Sequence, residues 1–181
     1  MARLFIAIEL PGEIKKTLSS LCCDLPGIRW VPPDQIHLTL RFLGDVQPKE
    51  MTRLKEALAA IVFASFPLTV QGVGHFPSHG HPRVLWIGLE NSSSLLDLQR
   101  RIETAVTGVG IIPEERGFSP HITIARIKEN ASAAVALFEA KHRQLSFPLF
   151  NVHDFMLFSS VLGPKGATHR KEKTFHARID V

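Results

Sequence analysis

The residues most able to do chemistry sit in two short stretches, QIHLTLRF at 35–42 and SPHITIAR at 119–126. Each sets a histidine and a threonine two positions apart, with apolar residues between and after them. On an extended strand alternate side chains share a face. His37 and Thr39 therefore point one way and Leu38 and Leu40 the other. His121 and Thr123 do the same opposite Ile122 and Ile124. With nine histidines and nine threonines in 181 residues, chance supplies roughly half of one His-x-Thr, so a single copy carries little. Two copies with apolar residues in all four intervening places are expected less than about once in a hundred such chains. Two imidazoles at one site suit acid–base work, because one can accept a proton while the other donates. The threonine hydroxyls can donate hydrogen bonds, but no base is arranged to make them nucleophiles. The set fits a phosphodiester, which needs a base for the attacking oxygen, an acid for the leaving oxygen and donors for the non-bridging oxygens. No GxSxG elbow is present, and His-x-Thr is not the HExxH spacing of hydrolytic zinc sites. His75, His79 and His81 lie close together but read as the edge of a loop, so no metal is expected.

Something must hold these strands. LFIAIEL (4–10) is a short apolar run closed by Pro11-Gly12 and predicts a buried strand. Ile14, Leu18 and Leu21 recur at helical spacing over 11–22. Residues 30–33 read as a loop, and 36–44 as a strand ended by Gly44. Pro48 opens a helix to about Val62, striped by Leu54, Leu58 and Ile61. A strand is expected over 66–76 and another over 83–90. A serine-capped helix over 92–106 carries Leu95, Leu98, Ile102 and Val106. A Gly/Pro-rich loop (108–120) leads to the strand 121–127. Asn130 can cap an alanine-rich helix to about His142. A long strand over 147–162, a loop over 163–173 and a closing alternating segment complete the chain.

The order strand, helix, loop, His-x-Thr strand, helix, FPL strand thus occurs twice. His37 and His121 are 84 residues apart, and the two FPL triplets 81. Near-equal offsets predict an internal duplication. The expected fold is α+β: one bilobal domain over 1–181, with two pseudo-twofold-related antiparallel sheets, helices outside and a central groove.

Composition narrows the class. The chain is 45% hydrophobic and 21% charged, which is ordinary for a globular protein and excludes global disorder. No apolar run approaches a membrane span, and the N-terminal run is too short for a signal segment. The only cysteines, Cys22 and Cys23, are adjacent. They form no disulfide framework or zinc site and read as small buried or half-buried side chains. A cytoplasmic protein is expected. No coiled coil or exposed repeat calls for an oligomer, so a monomer is expected too. The net charge of +4 suits an anionic partner such as a phosphate ester or RNA.

RLFIAIELP, WVPPDQIHLTLRFLGDV, FSPHITIAR and the late SSVLGPKGATH together resemble the two-histidine (2H) phosphoesterases. The similarity is greatest to the RNA 2′,3′-cyclic phosphodiesterases, also called 2′-5′ RNA ligase-like or LigT-type proteins, and it extends over essentially the whole chain. The resemblance implies a bilobal fold in which one lobe holds both termini and the other the middle of the chain. It implies metal-independent, cofactor-free hydrolysis of an RNA 2′,3′-cyclic phosphate end to a 2′-phosphate, with reversible 2′-5′ joining in some members. Carried over by motif, His121 activates water and His37 protonates the departing oxygen, although pseudo-symmetry allows the opposite order. Thr39, Thr123 and Arg126 are implied as substrate contacts. By strict alternation Arg126 points away from His121 unless the strand bends or ends. Phe42 is implied beside the base, and the same parity serves a core role equally well. Family members often carry a tyrosine in the segment 163–173. This chain has none, and His169 stands there as the implied substitute. Lys165, Arg170, Lys171 and Lys173 make that segment basic, whether to steer RNA or simply as a solvated surface. The alternative function is a non-catalytic RNA-binding module using the same groove.

Overall fold

The computed structural model describes residues 2–128, 131–163 and 166–178. In chain order the elements are β1 (Ala2–Glu9), α1 (Gly12–Ser20), β2 (Ile28–Trp30), a 3-10 turn (Pro33–Gln35), β3 (His37–Val46), α2 (Pro48–Ala59), β4 (Phe66–Leu68), β5 (Val70–Phe76), β6 (Val84–Leu89), α3 (Ser93–Gly108), β7 (Ile122–Ile127), α4 (Ser132–His142), β8 (Phe150–Val152), β9 (Asp154–Gly163) and β10 (Gly166–His176).

The helices begin where local chemistry supplies their missing partners. The Gln47 amide donates to Glu50 Oε2 at 3.0 Å in a capping box, and Pro48 opens α2. Ser92 Oγ accepts from the Leu95 amide at 3.2 Å at the start of α3. Asn130, expected to cap α4, lies outside the described residues. The expected apolar stripes are buried: Ile14 and Leu18 on α1, Leu54 and Leu58 on α2, and Leu95, Leu98, Ile102 and Val106 on α3. Helix α2 stops three residues short of Val62, and Ile61 packs on the core from the segment beyond it.

Strands β10-β9-β1-β3-β7-β6-β5 follow one another in an antiparallel sheet, with β2 alongside β7; β4 and β8 form a separate pair. The sheet has two halves. One holds β1, β3, β9 and β10, the other β2, β5, β6 and β7. They join through a single register pair, Leu38 with Ile122. One half therefore carries both ends of the chain and the other its middle, as the resemblance implied. All four helices press on one face of the sheet, where Leu4, Ile6, Ile8, Leu38, Leu85, Ile87 and Ile122 meet the helix stripes in one hydrophobic core. On the opposite face Phe5, Ala7, Met156 and Phe158 form a second, smaller cluster. The unbroken apolar run of β1 follows, since both of its faces are covered.

Several sequence expectations change. The runs 66–76 and 147–162 are not single strands. Each breaks, at Thr69 and at His153, and crosses from the two-stranded sheet into the large one. These breaks are also 84 residues apart. Residues 28–30, at the edge of the expected loop, pair with β7 as β2. Most of the segment 163–173 is an edge strand rather than a loop, and its charges suit an edge that must not recruit another chain. Lys165 lies outside the described residues. Cys22 is half-buried, but Cys23 is exposed.

Candidate active site

Each motif histidine is held in the same way. The 3-10 turn after Pro32 delivers the Gln35 carbonyl to His37 Nδ1 at 2.7 Å, and Ser119 presents its carbonyl to His121 Nδ1 at 2.8 Å. A carbonyl only accepts, so each ring donates through Nδ1. In the neutral form this leaves the Nε2 lone pair available. Gln35 is itself tied to β10 of the same half-sheet, its side-chain amide donating to the Ala167 carbonyl at 2.8 Å. Because Leu38 and Ile122 are register partners whose side chains are buried among the helices, the flanking His37, Thr39, His121 and Thr123 share the opposite face. All four line one cleft of about 800 Å³.

Phe42 and Arg126 line the same cleft, against the parity expected of a regular strand. Both strands are bulged. Arg41 faces Ile6 and Thr39 faces Ala7, so Leu40 is an extra residue in β3. Ala125 faces Leu85 and Thr123 faces Trp86, so Ile124 is extra in β7. Two consecutive residues then face the core, Leu40 with Arg41 and Ile124 with Ala125, and the next residue returns to the groove. The bulges occupy matching places in the two motifs. Phe42 and Arg126 each stand five residues after their histidine, one aromatic and one cationic. Arg41, where the other strand has Ala125, is buried. Its Nε donates to Glu103 Oε2 at 2.7 Å, and its Nη2 to the Ile112 carbonyl at 2.6 Å, tying β3 to α3 and the loop after it.

Aromatic rings wall the site. Phe5 stacks under His37 at 4.9 Å between centroids and meets His169 edge-on at 4.8 Å; His169 is 5.3 Å from His37. Phe76 meets His121 edge-on at 4.9 Å. Burial pushes His37 down from 6.5 to about 4, against the pull of the Gln35 carbonyl; nearby His169 and Lys15 also oppose its charge, and Glu9 favours it. Burial lowers His169 too. Arg3, Arg29, Arg126 and Lys128 reach the cleft, and no described carboxylate lines it. In a chain with 17 acidic residues this donor set suits an anion.

Every site residue expected from the sequence therefore meets in one cleft. Of the described residues of the basic run after 163, only His169 reaches it, while Lys171 is paired with Glu9 at 2.7 Å. Of the other histidine cluster, His75 is turned to Glu139 on α4 at 2.6 Å, and His79 and His81 are exposed. Sequence reasoning missed Phe5, Phe76, Gln35, Arg29 and Lys128. Their signal was faint: Phe5 hides in an apolar run, and Arg29 and Lys128 acquire meaning only once β2 is known to pair with β7.

The fold and this cleft define a two-lobed phosphoryl-handling protein with paired imidazoles. The family model for LigT-like phosphoesterases matches residues 8–86 and again 87–169. The RNA 2′,3′-cyclic phosphodiesterase of Archaeoglobus fulgidus is 32% identical over 176 residues, covering 96% of this chain and 99% of that protein. The crystal structure of TT0787 from Thermus thermophilus superposes with a TM-score of 0.83 at 30% identity, covering 99% of this chain and all of that one. E. coli LigT complexed with 3′-AMP superposes with a TM-score of 0.80 at 25% identity, covering 97% and 98%. The chain belongs to the LigT-like phosphoesterase family. Among the described residues no helix is long and apolar enough to cross a membrane.

Proposed function

We propose that this chain hydrolyses the 2′,3′-cyclic phosphate at an RNA end to a 2′-phosphate and a 3′-hydroxyl, without a metal or other cofactor. The observation that carries the reading is the Leu38–Ile122 pairing, which turns both His-x-Thr pairs toward one cleft that no described carboxylate lines. The activity named for the A. fulgidus relative agrees with it, and the 3′-AMP complex of the E. coli neighbour supports a nucleoside monophosphate in the cleft without bearing on which oxygen leaves.

His121 accepts a proton from water as the water oxygen attacks phosphorus. The bond from phosphorus to O3′ breaks, and His37 gives its proton to that oxygen. Thr39 and Thr123 donate to the non-bridging oxygens, and Arg126 balances their charge. Phe42 and His169 flank the nucleoside. His37 is neutral in the empty cleft. The phosphoryl anion beside it offsets the burial that opposes its charge, so substrate itself loads the acid. The two free thiols suit a cytoplasmic setting, and residues 1–181 work as one bilobal monomer arisen by internal duplication, in keeping with the two successive family matches. Run in the same direction with a 5′-hydroxyl attacking in place of water, the same groups break the bond from phosphorus to O3′ and form a 2′-5′ linkage; run backward, they cleave it to the cyclic phosphate and the 5′-hydroxyl. The detection of that product, from RNA carrying a cyclic end and RNA carrying a 5′-hydroxyl, tests this branch.

The main test offers an oligonucleotide with a 2′,3′-cyclic end in the presence of excess chelator. Turnover to a 2′-phosphate is expected, and His37→Ala and His121→Ala each lower kcat by roughly 10²–10⁴-fold. A 3′-phosphate product refutes the leaving-group assignment. Dependence on added zinc refutes the metal-free reaction. Tight binding without turnover returns the chain to the RNA-binding alternative.

A further inference from the structure

Resting on the proposed reaction, we infer that the cleft extends into a second phosphate subsite, built by Arg29 and Lys128, for the first internucleotide phosphate of the RNA strand. Arg29 stands directly opposite Arg126 in the β2–β7 register, so the two side chains project from the same face. Lys128 follows Arg126 by two residues, which keeps it on that face about 7 Å further from the histidines. Its backbone amide donates to the Gly27 carbonyl at 2.8 Å, which holds the end of β7 against the start of β2. Arg29 and Lys128 are exposed, and both line the cleft.

The two ends of the cleft differ in kind. From the Leu38–Ile122 pair, β3 and β7 run in opposite directions. The β3 end presents Phe42 with Phe5 behind it, and one cation, Arg3. The β7 end presents Arg126, Arg29 and Lys128 on adjoining strands, with Phe76 level with Arg126 through Val84. A terminal nucleotide whose phosphate lies between the histidines has two groups left to place: an aromatic base and the charged chain leaving its 5′ oxygen. Aromatic rings line both ends, so charge decides: the end with three cations suits the chain, which leaves the base to Phe42 at the other. The expected substrate is thus an RNA end of at least two nucleotides rather than a cyclic mononucleotide.

The experiment compares three substrates: adenosine 2′,3′-cyclic phosphate, a dinucleotide with the same cyclic end, and that dinucleotide with an uncharged methylphosphonate as its linking group. The wild-type protein should prefer the charged dinucleotide to the methylphosphonate by about tenfold or more in kcat/KM, the size of one lost contact to a charged group. Lys128→Ala and Arg29→Ala should bring this ratio to within about twofold of one, and Lys128→Glu should bring it below one. The salt dependence of kcat/KM for the charged dinucleotide should flatten by roughly 0.7–1 in logarithmic slope in Lys128→Ala. A wild-type ratio near one, or a ratio unmoved by all three substitutions, overturns the subsite. Failure of the wild-type protein to turn over any of the three, the mononucleotide included, strikes instead at the proposed reaction. The subsite is then decided by the same ratio measured as affinities for the two dinucleotides.

Discussion

His37 is a titrating group placed where its charge is unwelcome. It stacks on Phe5 on the groove face of β3, an interior strand of the sheet, and its pKa falls to about 4. Two measurements follow. By NMR, the His37 ring should titrate near that value in the free protein and move up when inorganic phosphate saturates the cleft; an unmoved value removes the idea that substrate loads the acid. In kinetics, kcat/KM reports the free protein and kcat the bound one, so the limb belonging to His37 should lie at higher pH in kcat. The same burial has a consequence for stability. The folded state resists the proton that the unfolded chain accepts, so between pH 6.5 and about 4 the unfolded chain binds more protons. Stability therefore falls as pH falls through that window, by on the order of 3 kcal/mol from this one ring. Urea midpoints at pH 7 and pH 4.5 should separate less in His37→Gln than in the wild-type protein. At this scale the sequence was informative about identity and silent about environment. His37 and His121 could be picked out by type and spacing, but Phe5 and the Gln35 carbonyl, which set the ring's behaviour, belong to packing.

Elements decided what alternation alone could not. Strict parity placed Arg126 away from His121 and left Phe42 as suited to the core as to the site, because a period of two assumes an unbroken ladder. A bulge adds one residue and reverses parity beyond it, and nothing in LTLRF or ITIAR marks Leu40 or Ile124 as the added one. The shared five-residue spacing from histidine to Phe42 and Arg126 was the legible trace. Helices fared better, since their apolar stripes and caps are local signals. The runs 66–76 and 147–162 were misjudged as single strands because their apolar character continues through the change of sheet. A further element-scale feature is the seat of Trp86, which β6 presents on the groove face opposite Thr123. A Cβ at Gly74 would stand 2.4 Å from the Trp86 ring, too close for any adjustment of a flexible tip. Gly74→Ala should lower stability by about 1–3 kcal/mol through overpacking. Gly12→Ala, where a Cβ meets nothing within 4 Å, should be neutral or slightly stabilising. Thermal midpoints of the two variants give the comparison, and equal midpoints would dismiss the close seat as a constraint.

At the scale of the whole molecule, the site exists only because two half-sheets meet. Each lobe supplies one histidine and one threonine, so the distance between the imidazoles is a property of the junction rather than of either lobe. That junction is narrow. Leu38 and Ile122 are its single register pair, and both are fully buried. The repeated order of motifs could be seen in their offsets, but not the way the chain weaves its halves across both lobes, since that depends on β9 and β10 returning to pair with β1. Junction geometry and overall stability can be separated by experiment. Leu38 and Leu58 are both buried to 0% exposure in the same core, one at the junction and the other on α2. Leucine-to-alanine changes in such positions cost about 2–5 kcal/mol as transfer and cavity terms combine, so Leu38→Ala and Leu58→Ala should lose comparable stability in urea. Their activities should part. At a temperature where both variants are folded, Leu58→Ala should keep kcat within a few-fold of wild type, since the helix layer relaxes without moving the two strands. Leu38→Ala lets β3 shift against β7, and a misplacement near 1 Å can cost about 100-fold in rate. Equal kcat in the two variants would mean that the lobes are held in register by something other than this pair, and the burden would pass to the bonds that Arg41 of β3 makes to Glu103 of α3 and to the Ile112 carbonyl.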